Sequence, residues 1–245
     1  MNDKKVEESR YNFRAKDQLY SNNFKSVNNL NKTLELPYIF YKKNILEKIT
    51  SNSFVLEIGS GMGENTGFLL SSGAKVCATD ISKYSLDVIN KRFDSDKLTI
   101  KVADMESLPF SKGSFDLVCC AGSLSYGDNL IVMNEIYRVL KKKGVLIVVD
   151  SLNNNPIYRL NRYIHYLKGR RSLSVIKRTP NLKLLQKFSL KFKETEFYFF
   201  GSISYLTPLL NKVFGEERTV KFSYFVDRIF FIKRSAFKFV LIAEK

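Results

Sequence analysis

Three glycines alternate with other residues in Val55-Leu56-Glu57-Ile58-Gly59-Ser60-Gly61-Met62-Gly63-Glu64, directly after a short apolar run. Glycine tolerates positive φ and lets a ligand lie against the backbone where a strand gives way to a helix N-terminus. A dinucleotide fingerprint wants glycine where Glu64 stands, for close helix packing, and an electrically open loop for the pyrophosphate. Glu64 obstructs both, and Glu57 adds a second negative charge. The loop therefore favours a ligand with a cationic centre, a free ammonium group and no phosphate.

The elements that must position this loop are legible in the spacing of apolar residues. Tyr38, Tyr41, Ile45 and Ile49 recur every three or four residues after Pro37, predicting an amphipathic helix that stops at Ser51-Asn52-Ser53. Phe54–Ile58, Lys75–Thr79, Leu98–Ala103, Phe115–Ala121 and Gly144–Val149 are apolar or β-branched runs. Helix-length segments Glu64–Ser72, Ser82–Phe93 and Leu130–Lys142 lie between them. Strands alternating with helices predict βαβ units and a mainly parallel sheet. Residues 1–36 are polar and asparagine-rich, with scattered aromatics (Tyr11, Phe13, Tyr20, Phe24) and no sustained period, and read as a loose arm or lid. Beyond Asp150, Pro156 suits the first turn of a helix running to about residue 168, and Thr179-Pro180 starts another. Phe192–Phe200 and Phe237–Ala243 suit the last two strands, with a helical insertion over 202–235 between them.

S-adenosylmethionine has the chemistry the loop selects, and Glu57-Ile-Gly59-Ser60-Gly61-Met-Gly63 resembles motif I of the class I S-adenosylmethionine-dependent methyltransferases. Further stretches resemble that family's later motifs in order: Lys75–Asp80 with Ile81, Ala103-Asp104-Met105 with Leu108-Pro109-Phe110, Ser114–Val118, and Leu140–Ile147. The resemblance is continuous over 54–150 and implies a Rossmann-like fold: a mainly parallel seven-stranded sheet with an antiparallel last strand and a helical cap. The domain is placed at 37–245, with a cofactor-binding core at 54–150 and acceptor-cap insertions at 153–178 and 202–235. It implies that Asp80 holds both ribose hydroxyls, a task a carboxylate can perform by accepting two O–H bonds. It also implies that Asp104 accepts from the adenine amino group and that Ile81, Met105 and Ala121 contact the cofactor. The small-molecule, quinone-biosynthesis-like type 11 branch is the nearest match, although that branch often carries histidine near Tyr126.

The implied reaction is in-line methyl transfer, leaving S-adenosylhomocysteine, and the protein's main task is alignment. After the fourth strand the chain reads Ala121-Gly-Ser-Leu-Ser-Tyr126, not the Asp/Asn-Pro-Pro-aromatic run of nucleic-acid amino-methyltransferases. Cys119 and Cys120 fall within a strand, not in the loop a pyrimidine C5 enzyme uses, and no metal site is expected. An acceptor hydroxyl must lose a proton. At about 100° per residue, Ile157, Leu160, Ile164 and Leu167 share one helix face, while Tyr158, Asn161 and the sole histidine, His165, form the edge beside it. Histidine suits proton abstraction near neutrality. Asp150, at the end of a parallel strand, is the competing base.

Lys and Arg number 40 against 24 Asp and Glu, a formal charge of +16. Between Ser151 and Lys193 there are eleven Lys and Arg and no Asp or Glu. Arg159 and Arg162, interleaved with Tyr158, Tyr163 and Tyr166, suit phosphates and a stacked sugar or base. Tyr126, Tyr158, Arg159 and Arg162 are the expected acceptor-binding residues. An anionic small-molecule or glycan acceptor is expected, foremost a sugar hydroxyl on a nucleotide- or lipid-pyrophosphate-linked glycan of surface-polysaccharide assembly. RNA, a quinone or lipid, and a non-catalytic cofactor-binding role stand as alternatives. Without an apolar h-region or a spanning stretch, cytoplasmic residence is expected, with peripheral contact at an anionic inner membrane face.

Overall fold

A computed structural model describes residues 3–21, 32–169, 171–230 and 232–245. Phe24 of the expected arm, Arg170 of the basic run and residue 231 of the cap lie outside the described residues. The chain begins with α1 (Asp3–Ser21), then α2 (Leu36–Lys48), β1 (Phe54–Ile58), α3 (Thr66–Ser71), β2 (Lys75–Asp80), α4 (Lys83–Arg92), β3 (Leu98–Val102) and β4 (Phe115–Ala121). It continues through α5 (Asn129–Val139), β5 (Leu140–Ser151), α6 (Pro156–Leu167), α7 (Leu173–Arg178), α8 (Leu182–Lys191) and β6 (Glu194–Phe200). Last come α9 (Thr207–Phe214), α10 (Glu216–Phe230) and β7 (Lys238–Glu244). The strand order is β3-β2-β1-β4-β5-β7-β6, with β1 to β5 parallel and β7 antiparallel between β5 and β6. The expected mainly parallel sheet is present. Chain order reverses between β1 and β4, which opens a crevice at their carboxyl ends, the place where such sheets take ligands.

Period-2 alternation sends each strand's side chains into two apolar layers. Leu56, Ile58, Val118, Cys120, Leu146 and Val148 pack under α5 and α8. Val55, Val76, Leu117, Cys119, Ile147 and Val149 pack under α2, against Tyr41 and Ile45. Phe115, Phe188 and Phe239 are completely buried.

Three boundaries differ from the sequence expectation. Helix α5 ends at Val139 because Leu140 is buried and pairs with Phe115 as the start of β5; Lys143 then turns with φ 63° before Gly144. Residues 3–21, expected as part of a loose arm or lid, form a regular helix, α1, which packs Ala15 against Met62 and Val88 beside α4. The short helix α7 lies within the helical cap expected over 153–178, but its separation from α6 was not expected. The cap, α6, α7, α9 and α10, leaves from the carboxyl ends of β5 and β6; its first pair returns through α8 to the start of β6 and its second to the start of β7, beside which Ser151, Lys238 and Phe200 lie in register.

Candidate active site

One cavity lies over the carboxyl ends of β1, β2 and β4, with α1 as its roof. Gly59 and Gly61 form the floor. Gly59 adopts φ 63°, and a Cβ there would stand 2.6 Å from Ser123 Cβ, so only glycine fits. The Gly61 amide donates to Asp80 Oδ2 at 3.0 Å, and Asp80 Oδ1 accepts from the Ser82 amide at 2.8 Å. Asp80 thereby ties the glycine loop to the start of α4 while facing the cavity. Burial raises its pKa, opposed by those amide bonds.

Asp104 and Met105 line the wall beside it, followed by Ala121, Gly122, Ser123 and Tyr126; Ser60, Glu64 and Ile81 complete the lower part. Asp104 Oδ1 accepts from the Glu106 amide at 2.9 Å, and Oδ2 from Lys4 Nζ of α1 at 2.5 Å. The Ser60 hydroxyl is buried in the cavity wall with no partner among the described residues. An unsatisfied buried hydroxyl beside three carboxylates, Glu64, Asp80 and Asp104, fits a polar ligand carrying hydroxyl, amino and cationic groups.

Two expected cofactor contacts do not reach the cavity. Glu57 shares the face of Val55, so strand alternation turns it into the layer beneath the sheet, where its carboxylate accepts from Thr66 Oγ1 at 2.6 Å. Burial there pushes its pKa up to about 8. Glu57 is thus mostly protonated at neutral pH, and the negative charge expected of it beside the loop is corrected; Glu64 supplies that charge. Gly63 serves packing instead. With φ 88°, a Cβ there would stand 2.8 Å from the Phe93 ring and 3.1 Å from Ile89, so glycine lets the loop close onto α4.

The expected bases and most of the expected acceptor residues also lie elsewhere. Asp150 is buried on the β5 face shared by Val148 and Leu152, with its oxygens on the Leu124 amide at 3.0 Å and the Ser151 amide at 2.6 Å. It anchors the turn leading to Tyr126 and does not line the cavity. His165, half-buried on α6, is likewise absent from the lining. Tyr158 and Arg162 face inward as struts. Tyr158 donates to Gly201 O at 3.0 Å, accepts from the Tyr205 amide at 3.0 Å and bonds Ser204 Oγ. Arg162 donates to Leu152 O at 3.1 Å and Asn153 Oδ1 at 2.9 Å, and burial lowers its pKa to about 10. Arg159 is exposed and lines a separate depression on the cap. Tyr126 alone of the expected acceptor residues is in the cavity, where its hydroxyl lies 3.2 Å from that of Tyr11.

The roof residues Lys4, Glu7, Tyr11 and Arg14 were missed. Their signal was a spacing of four, Glu7-Tyr11-Ala15-Leu19, one stripe of a helix, hidden because its first member is charged. Beyond Tyr11 and Tyr126 the cavity adjoins a groove lined by Arg10, Arg14 and Arg171 with Val6, Phe13 and Val175; Glu7, Tyr11, Arg14 and Tyr126 are common to both. Glu7 accepts from Arg10 at 3.1 Å and Ser172 at 3.2 Å. Among the described residues no group of three or more His, Cys, Asp and Glu could hold a metal ion. No described helix is long and apolar enough to cross a membrane.

Residues 56–148 match the family model described as a methyltransferase domain. Among curated proteins, sterol 4-C-methyltransferase strm-1 of Caenorhabditis elegans is 35% identical over 130 residues, 50% of this chain and 39% of that one. Demethylmenaquinone methyltransferase of Clavibacter sepedonicus is 33% identical over 122 residues, 47% of this chain and 48% of that one. The chain thus spans about half or less of the length of these relatives. Among solved structures, phosphoethanolamine N-methyltransferase 2 of Haemonchus contortus, in complex with S-adenosyl-L-methionine, superposes with a TM-score of 0.60 at 16% identity. That match covers 86% of this chain and 52% of the other. YcgJ of Bacillus superposes at 0.58 with 18% identity, covering 84% of this chain and 97% of that one. At such identities these structures establish the shared fold.

Proposed function

We propose, from a chain whose residues 56–148 form a methyltransferase domain of the class I, type 11 kind, that the whole protein transfers a methyl group from S-adenosylmethionine to an anionic small-molecule acceptor. The observation that carries the acceptor class is the arginine-lined groove that adjoins the cofactor cavity and shares Glu7, Tyr11, Arg14 and Tyr126 with it. When bound, the cofactor supplies an electrophilic methyl group on a sulfonium. Asp80 is positioned to take ribose hydroxyls, Ser60 to satisfy its orphaned hydroxyl on the ligand, and Glu64 to face positive charge across the glycine floor.

The acceptor's anionic part belongs with Arg10, Arg14 and Arg171, and its reacting atom with the two tyrosines. Glu7, buried and common to cavity and groove, replaces His165 and Asp150 as the group placed to receive an acceptor proton. Glycan hydroxyls on nucleotide or lipid-pyrophosphate carriers remain the assignment within this class, supported by the positive charge of the groove. A quinone or lipid acceptor is the second reading. It is favoured by the apolar Val6, Phe13 and Val175 in the groove and by the likeness to a demethylmenaquinone methyltransferase.

The test is methyl transfer from labelled cofactor to a panel of nucleotide sugars, polyprenyl-pyrophosphate glycans, demethylated quinones and bulk RNA. Turnover of an anionic glycan that falls at least about tenfold in Arg14→Ala and Glu7→Gln, with S-adenosylhomocysteine affinity unchanged, is the expected result. Transfer confined to a neutral quinone or to RNA would overturn the acceptor class. Failure to bind S-adenosylhomocysteine would overturn the activity.

A further inference from the structure

Helix α6 has its polarity reversed for a helix of a freely dissolved domain. Its inward side is polar: Tyr158 and Arg162 are buried, Tyr158 bonded to the segment 201–205 and Arg162 Nη1 to the segment 152–153. Its outward side is the stripe Ile157, Leu160, Ile164 and Leu167, of which Leu160 is 62% and Leu167 69% exposed. Contiguous exposed apolar surface on a polar rim marks a contact face. Tyr158 also bonds the segment that leads into α9, and α9 carries a second exposed apolar set, Leu209, Val213 and Phe214.

The charge around the stripe decides what covers it. Between α6, α7 and α8 lies a depression lined by Arg159, Lys177 and Lys183 with Asn153, Asn154 and Asn181, and by no acid. Its rim includes Leu160, Tyr163 and Ile176, so cationic and apolar groups share one surface. A second copy of the chain would set this acid-free run of eleven Lys and Arg against itself, and like charges across an interface repel. A layer with negative charge on its surface and hydrocarbon below satisfies both features at once.

We infer that the cap is a membrane-docking face, on which α6 lies in the plane of an anionic bilayer. The leucine and isoleucine stripe enters the headgroup boundary, and Arg159, Lys177 and Lys183 meet lipid phosphates. This inference is independent of which acceptor is methylated. It places the cofactor cavity, at the same edge of the sheet as the cap, within reach of an acceptor held at a membrane surface.

The test is co-sedimentation of the full chain with vesicles of phosphatidylcholine alone and of phosphatidylcholine mixed with phosphatidylglycerol. The wild type is expected to pellet with the anionic vesicles and stay in solution with the neutral ones. Added salt should release it, because the attraction is screened. The double variant Leu160→Asp/Leu167→Asp should bind anionic vesicles at least about tenfold more weakly, with wild-type thermal stability and S-adenosylhomocysteine affinity. Lys177→Glu/Lys183→Glu, which leaves the apolar stripe whole, should weaken binding in the same direction. The inference is overturned if the wild type ignores anionic vesicles, or if both double variants pellet as it does. It is overturned equally if sedimentation equilibrium shows a dimer that Leu160→Asp/Leu167→Asp dissociates, which would give the stripe to a second copy. S-adenosylhomocysteine binding by the wild type reports separately on the methyltransferase reading.

Discussion

Asp80 performs two tasks with one carboxylate: it fixes the glycine floor through the Gly61 and Ser82 amides, and it offers its remaining lone pairs to the cavity. Asp80→Asn would turn an amide N–H₂ toward one of those backbone donors and remove the charge from the other bond. Charge-assisted hydrogen bonds contribute about 1.5–3 kcal/mol, so S-adenosylhomocysteine should bind at least about tenfold more weakly by calorimetry, with a lower melting temperature. Unchanged affinity would remove Asp80 from the cofactor site. Glu57 has the opposite character, a carboxyl held in an apolar layer with its pKa pushed up to about 8 from an ordinary 4.5. In the folded chain it keeps its proton after the unfolded chain has lost it. Its contribution is therefore complete below 4.5 and is lost as pH climbs to about 8. Glu57→Gln cannot ionise and can still accept from Thr66. Its urea midpoints should lack that part of the decline toward alkaline pH; parallel profiles for variant and wild type would refute the assignment.

At the level of elements, the turn from β1 into α3 depends on Gly63 more than its place in the glycine series suggests. Gly63→Ala forces a side chain into φ 88° and against the Phe93 ring, which should cost about 1–3 kcal/mol. That is a drop of several degrees by calorimetry, and an unchanged melting temperature would mean Phe93 yields freely. The parallel strands were legible in the sequence because each is a short apolar run bounded by turn residues, and the acids Asp80 and Asp104 were legible because they end or follow such runs. Glu57 was misread for a reason the same alternation contains: a residue beside Val55 in the period of two faces the layer, not the ligand. Helix α6 was found from Pro156 in its first turn, but its Asn155 cap and its orientation were not. Apolar spacing locates a stripe without saying whether protein or something else covers it. Helix α1 went unseen because the charged Glu7 opens its stripe, and Glu7 lines a cavity.

Across the molecule, the three cysteines sit in the two central layers, Cys77 on β2 and Cys119 and Cys120 on β4, all buried. Burial raises each thiol's pKa, that of Cys77 to about 11, so the reactive thiolate is both scarce and inaccessible. Native protein should take up no thiol reagent on a timescale of minutes and three equivalents after denaturation. Rapid native labelling would mean the sheet opens locally. The ties of α1 span the whole cavity, from Lys4 on Asp104, through Tyr11 beside Tyr126 and Asn12 on Ser82, to Ala15 against Met62. On the proposed reading, exchange of a spent cofactor would proceed by peeling and resealing this pinned helix, and turnover should then slow in viscous solvent even where bond-making is fast.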